Sequence, residues 1–199
     1  METLEELLRR AEAAHGHMCA GQILGVRMAL LGLRRLGIED PRGADRKRLV
    51  TYVEIDRCAT DAIALVAGCR LGKRTLKFRD WGKMAATFVD LATGRGVRVV
   101  AVESSRELAR ELYPHIEGKS QQQMAAYREM PDGQLFSVVA VRVHVEEAEL
   151  PGSRGERFIC PRCGEGVNFG RFEEVAGERL CLSCARPEAR YWRPEDSGQ

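Results

Sequence analysis

The residues of this chain that can do chemistry fall into two groups, and cysteine defines both. Four cysteines lie late in the sequence as two pairs, Cys160-Pro-Arg-Cys163 and Cys181-Leu-Ser-Cys184, spaced C-x2-C-x17-C-x2-C. Four thiolates at that spacing satisfy tetrahedral Zn(II) and leave no coordination position for a substrate, so Cys160, Cys163, Cys181 and Cys184 read as a structural zinc site. Between the pairs, Phe172 to Leu180 reads as a short hairpin turning at Ala176-Gly177. Knuckle, hairpin and a second CxxC at a helix start is the order of a treble-clef or ribbon finger. So short a segment buries little apolar surface, and the metal supplies most of its folding energy. Rubredoxin-like iron is the lesser alternative, because thiolate sites also accept iron.

The second group is the run HGHMCAG at 15–21, in which His15, His17 and Cys19 occupy alternate positions. Gly16 and Gly21 argue against one continuous helix, so the spacing predicts a loop that enters a helix at Cys19. Cys58 repeats the placement: it follows the strand-like LVTYVEI and opens CATDAIALVAG, with Asp61 one turn on. A cysteine at a helix start meets the positive end of the helix dipole, which favours thiolate over thiol. Two such cysteines with two histidines make either a metal site with an open position or a reactive thiol pair. The plain alternative is buried, inert thiols and structural histidines. Cys69, His115 and His144 take that plain reading. The Gly-punctuated segment 72–83 lacks the order of a phosphate-cradling loop. Its Lys73, Arg74 and Lys83 are candidate contacts for an anionic ligand near the metal, or else line a solvated basic hairpin.

These groups need elements to hold them. Leu4, Leu7, Leu8 and Ala11 recur at helical spacing over 3–14, and a more apolar helix runs from Cys19 to Leu36 with Gly37 as its stop. Leu49–Ile55 reads as a strand and Cys58–Ala67 as a helix ending at Gly68. Three strands follow, near 75–79, 84–91 and 97–103, the last two joined by a turn at Gly94-Arg-Gly96. Ser104 and Ser105 are expected to cap a helix through Leu112. A further helix over 121–130 is stopped by Pro131-Asp-Gly133, and 135–145 (LFSVVAVRVHV) is the clearest strand. A block of helices, then strands with inserted helices, predicts an α+β fold of helices packed on a mainly antiparallel sheet. An acidic, then Pro-, Gly- and Ser-containing stretch at 146–156 reads as a linker. The expected division is a core domain over 1–150 and a four-cysteine finger with a polar tail over 151–199.

Composition removes some classes of function. A net charge of +2 in 199 residues gives no basic field for nucleic acid or an acidic membrane surface. In the finger, Arg157, Arg162, Arg171, Arg179, Arg186, Arg190 and Arg193 are largely offset by Glu156, Glu165, Glu173, Glu174, Glu178 and Glu188. No apolar run approaches the ~20 residues of a membrane span. The acidic start is unlike a secretory signal, and CxxC pairs with scattered single cysteines suit a reducing compartment. The expected location is the cytoplasm.

Taken together, the motifs resemble the E subunit family of formylmethanofuran dehydrogenase, the FmdE-like proteins. The resemblance rests on H-G-H-x-C-x-G at 15–21, D-R-C-A-T-D-A-I at 56–63, G-K-R-T-L at 72–76 and D-x-G-K-x-A-x-T-F at 80–88. It covers roughly 5–150, and the late CxxC pairs are similar to a finger that many members append. It implies an α+β core, commonly a homodimer, with a cleft whose His and Cys side chains bind metal. His17, Cys19 and Cys58 match as ligands of a second transition metal (Zn, Ni or Fe), with His15 and Asp61 close by and Lys83 near the cleft. Ala20 departs from the proline common after the cysteine, which alters the loop and removes no ligand. The family's namesake is a molybdenum or tungsten enzyme that reduces CO2 onto methanofuran, with links to methanogenesis. The expected role is therefore accessory to Mo/W-dependent formyl or formate redox chemistry, with the oxidoreductase subunits as partners. Two other classes stay open: a small metallo- or thiol-dependent enzyme with Cys19 as nucleophile, and a metal-sensing regulator that binds nucleic acid or protein through the finger.

Overall fold

In the computed structural model, which describes residues 2–195, the chain divides into two units, Met1–Val145 and Glu146–Gln199. The first begins with α1 (Leu4–His15). Thr3 and Glu6 close a capping box at its start, and Gly16, at φ 91°, ends it. The left-handed turn at Gly16 redirects the chain immediately after His15. Cys19, in extended backbone, is the N-cap of α2 (Ala20–Leu36). Then come β1 (Leu49–Val53), α3 (Cys58–Ala67), a 3-10 turn at Leu71–Lys73, β2 (Leu76–Phe78), β3 (Ala85–Asp90) and β4 (Arg95–Ala101). α4 (Ser105–Leu112), α5 (Lys119–Glu129), the single turn α6 (Asp132–Leu135) and β5 (Phe136–Arg142) complete the unit.

The strands form one sheet in the order β2-β1-β3-β4-β5. Only β1 and β2 are parallel, and the other pairs are antiparallel. This is the α+β architecture of helices on a mainly antiparallel sheet. β3, the central strand, is buried along its whole length. α2 is apolar nearly all round because it is enclosed: α1, α3 and α5 pack on it from one side, β3 and β4 from the other. Its residues Ile23, Val26, Met28, Leu31 and Leu33 share one core with Leu49, Val53, Phe88, Val97 and Val99 of the sheet. Arg27 is one of its few polar residues. Its guanidinium donates to the carbonyls of Tyr127 and Met130 at the end of α5 and pairs with Asp132, so it satisfies acceptors that a helix end leaves open.

Three glycines set how closely α2 is approached. A methyl group on Gly25 would lie 2.4 Å from the Ala59 carbonyl oxygen and 2.8 Å from the Ala62 methyl, both in α3. One on Gly21 would lie 3.2 Å from Cys58 Cβ, and one on Gly32 would penetrate the Phe88 ring. The missing side chains let α3 press its first turn against the start of α2.

Four local expectations need correction. The β3–β4 turn occupies 91–94, and Gly96 lies inside β4 opposite Val89. Ser104 makes no side-chain cap; Ser105 Oγ instead donates to the Val102 carbonyl. Pro131-Asp-Gly133 stops α5 but also starts α6, because Pro131 suits the position just before a helix. The strand expected over 135–145 is paired only over 136–142, at the sheet edge, with Val139 half exposed.

The second unit starts with a 3-10 turn at Glu147–Glu149. Two hairpins follow, β6 (Arg157–Ile159) with β7 (Gly166–Asn168) and β8 (Phe172–Val175) with β9 (Glu178–Cys181), and then the single turn α7 (Leu182–Ala185). Ala176 and Gly177 both have positive φ (52° and 84°), the conformation of a two-residue hairpin turn. No helix among the described residues is long and apolar enough to cross a membrane.

Gly25→Ala tests the close approach. Helix propensity alone favours alanine by up to about 1 kcal/mol, whereas the backbone contact at Ala59 imposes overpacking of about 1–3 kcal/mol. A lower urea midpoint is expected; an unchanged or higher one would show that the helices have room to spare.

Candidate metal centres

The late cysteines converge as the spacing requires. Cys160 and Cys163 sit on the knuckle between β6 and β7, Cys181 ends β9, and Cys184 lies in α7, with all four Sγ atoms within 4.8 Å of one another. Cys163 Sγ and Cys181 Sγ are 3.8 Å apart. That is the edge of a tetrahedron with Zn–S bonds of about 2.3 Å, so the donors fit zinc. The backbone N–H of Cys181 donates to Cys160 Sγ at 3.4 Å and is the main reason that this thiol is lowered to about 6. Two cations offset the charge that four thiolates bring to one ion. Arg190 donates to Cys184 Sγ (3.4 Å) and to the Ser183 carbonyl (2.7 Å), and Arg162 donates to the Cys184 carbonyl (2.9 Å). Arg162 and Arg190 are thus tied to the cluster itself, a role that CxxC spacing does not assign them.

The early residues also meet. His15 is the last residue of α1, His17 lies in the connecting loop, and Cys19 caps α2; their ligand atoms all fall within 4.8 Å of one another. The two imidazole rings are tilted, 4.8 Å between centroids. Asp61 Oδ2 sits 3.0 Å from His15 Nδ1. With Nδ1 so engaged, Nε2 is the ring nitrogen left for another partner. A carboxylate hydrogen-bonded to one imidazole nitrogen commonly orients a histidine whose other nitrogen binds metal, so Asp61 is placed to orient His15. Two imidazoles and a thiolate are donor types that suit zinc, nickel or iron.

Cys58 stands just outside that trio. It opens α3 beside Cys19: a methyl group on Gly21 would lie 3.7 Å from Cys19 Sγ and 3.2 Å from Cys58 Cβ. The helix start was expected to favour its thiolate. Instead, burial first and the neighbouring Cys19 thiol second push the Cys58 thiol above its ordinary value. Desolvation and a second sulfur outweigh the helix dipole here.

The two lysines separate. Lys83 follows β2 at the end of the sheet where β1 leads into α3, and its backbone N–H donates to the Glu54 carbonyl. Its ammonium lies over the Trp81 ring, 5.7 Å from the centroid. Lys73 precedes β2, at the opposite end of the β1–β2 pair and beyond the C-terminus of α3. One cleft therefore does not collect both. Cys69 is buried beside Thr51 Oγ1 (3.2 Å), away from the trio at the far end of α3.

Gln22 is the residue that sequence reasoning missed. It is fully buried on α2, one turn after Cys19, and its Nε2 donates to the Cys58 carbonyl at 2.6 Å. It fastens the first turn of α3 to α2. The available signal was one amide in the otherwise apolar stretch 20–26.

A helix-covered antiparallel sheet with a His/Cys trio at one end and a four-cysteine finger in a separate unit defines a class of metal-binding protein. The chain belongs to the FmdE family: the family model described as "FmdE, Molybdenum formylmethanofuran dehydrogenase operon" matches residues 14–138. Residues 152–189 match the prokaryotic dksA/traR C4-type zinc finger. A crystal structure of a tungsten formylmethanofuran dehydrogenase FmdE-like protein from Syntrophus aciditrophicus superposes with a TM-score of 0.65 over 95% of each chain. At 23% identity that likeness establishes the fold. An Archaeoglobus fulgidus protein named "Probable S-adenosyl-L-methionine-binding protein" is 32% identical over 92% of this chain. The chain spans 53% of that relative's length.

Removing zinc should unfold the finger alone, because its small core of Leu180 and three cysteines buries little else. In amide NMR spectra, chelation is expected to collapse the resonances of 157–185 while those of β1–β5 persist. Retention of the finger's dispersion after verified zinc loss would contradict this.

Proposed function

We propose that the early group is a transition-metal site, and that the chain is a metal-binding accessory of molybdenum- or tungsten-dependent one-carbon redox chemistry. The observation that carries the first part is the convergence of His15, His17 and Cys19, with Asp61 behind His15. In this reading His15 contributes Nε2, His17 an imidazole nitrogen and Cys19 its thiolate. The ion's fourth position is left for Cys58 or an incoming ligand. Such an ion supplies Lewis acidity at one position. The protein's own part is to hold the donors: Asp61 fixes the His15 ring, Gln22 fixes the start of α3, and the glycines of α2 bring Cys58 alongside. The second part is supported by family membership and by the name of the Syntrophus protein. In this proposal the protein acts as a cytoplasmic homodimer with a core over 1–150 and a finger over 151–199. It binds the dehydrogenase subunits, and Lys83 contacts an anionic group near the ion.

The 32% identical Archaeoglobus relative motivates a second reading, in which the core takes S-adenosyl-L-methionine. Elemental analysis and calorimetry on one set of proteins separate the two. The metal reading predicts two ions per wild-type chain and one in Cys19→Ala, with the finger ion retained. One ion in both proteins would overturn it. Saturable uptake of S-adenosyl-L-methionine by the wild type, lost in Cys19→Ala, would favour the second reading.

A further inference from the structure

Cys58 raises a question that the trio does not answer. It lies outside the cluster of His15, His17 and Cys19, yet it meets Cys19 at Gly21, where α2 carries no side chain. A methyl group on Gly21 would lie 3.7 Å from Cys19 Sγ and 3.2 Å from Cys58 Cβ, so both cysteines flank the bare Gly21 position. Cys19 caps α2, Cys58 is the first residue of α3, and both are partly exposed. The remaining cysteines differ. Cys69 is buried against Thr51, and the four of the finger face one another.

We infer that Cys19 and Cys58 form a redox pair, a reversible disulfide that closes across Gly21 and takes Cys19 out of the metal's donor set. The co-reactant is a low-molecular-weight disulfide. One cysteine thiolate attacks a sulfur of that molecule, forming a mixed disulfide and expelling one thiolate. The second cysteine then attacks the protein sulfur of the mixed disulfide, expels the other thiolate and completes the S–S bond. Two protein thiols are oxidised, one small disulfide is reduced to two thiols, and those thiols take up the two protons. The sulfurs must close to about 2.05 Å, and the missing side chain at Gly21 gives both cysteines room to rotate. A thiolate bound to metal cannot also be in a disulfide, so oxidation and metal binding oppose each other. That opposition rests on the metal reading above; the disulfide itself does not.

The test treats the full-length protein with oxidised glutathione, with and without added zinc, and traps free thiols with N-ethylmaleimide. Tryptic mass spectrometry then looks for peptide 11–27 joined to peptide 58–70, with fragment ions assigning the bond to Cys58 or Cys69. A Cys19–Cys58 linkage is expected, absent in Cys58→Ser and suppressed by zinc. Cys58→Ser lacks the second thiol, so under oxidised glutathione it should stop at a lasting Cys19–glutathione adduct. In the wild type, maleimide on both cysteines at every glutathione ratio, a Cys19–Cys69 linkage, or a lasting Cys19–glutathione adduct would overturn the inference. Linkage at the same rate with and without zinc would leave the disulfide standing and remove Cys19 from the metal's donors.

Discussion

The structure turns on side chains that are missing. Gly21, Gly25 and Gly32 leave α2 bare on the sides that face α3 and the sheet. α3 can then rest its backbone at Ala59 against one turn of α2, and Phe88 can seat its ring against another. Without that approach Cys58 would not stand beside Cys19, and Gln22 would not reach the Cys58 carbonyl. Asp61, on the same first turn of α3, would not reach His15. The chemistry at the surface is therefore set by packing several ångströms below it. A methyl group is the smallest change that would disturb the arrangement.

The four-cysteine cluster and the His/Cys trio obey different rules. In the finger the donors are matched in type and close around one point, and arginines and backbone N–H groups neutralise the thiolates. That arrangement is suited to holding an ion permanently in a segment with almost no apolar core. In the first unit the donors are mixed and more exposed, and they are oriented by a carboxylate and an amide. The core of the first unit folds around α2 and the sheet, so its trio does not have to supply folding energy and is free to change ligands.

Much of this was legible in the sequence because the signals were local. CxxC spacing, the Ala176-Gly177 turn, and the helix boundaries at Gly16, Gly37 and Gly68 all lie within a few residues of the structure they determine. The grouping of His15, His17 and Cys19 is local too. What the sequence hid depends on partners far along the chain. The start of α3 looked favourable to a thiolate, but the Cys58 environment is set by burial and by Cys19, neither visible in CATDAIALVAG. Lys73 and Lys83 lie ten residues apart in one basic segment, and only the parallel pairing of β1 with β2 sends them to opposite ends. Gln22 looked like an ordinary helix residue until α3 was packed on it. The strongest strand signal, at 135–145, belongs to an edge strand, since alternation reports a half-buried face and not a central position.

The proposed second metal centre joins His15 of α1, His17 of the connecting loop and Cys19 at the start of α2. Anomalous diffraction from crystals grown with zinc, with data on both sides of the zinc edge, tests it most directly. The account predicts two anomalous peaks per chain: one inside the tetrahedron of Cys160, Cys163, Cys181 and Cys184, the other within bonding distance of His15 Nε2, a ring nitrogen of His17 and Cys19 Sγ. A peak in the finger alone, with the trio free of metal, would contradict it.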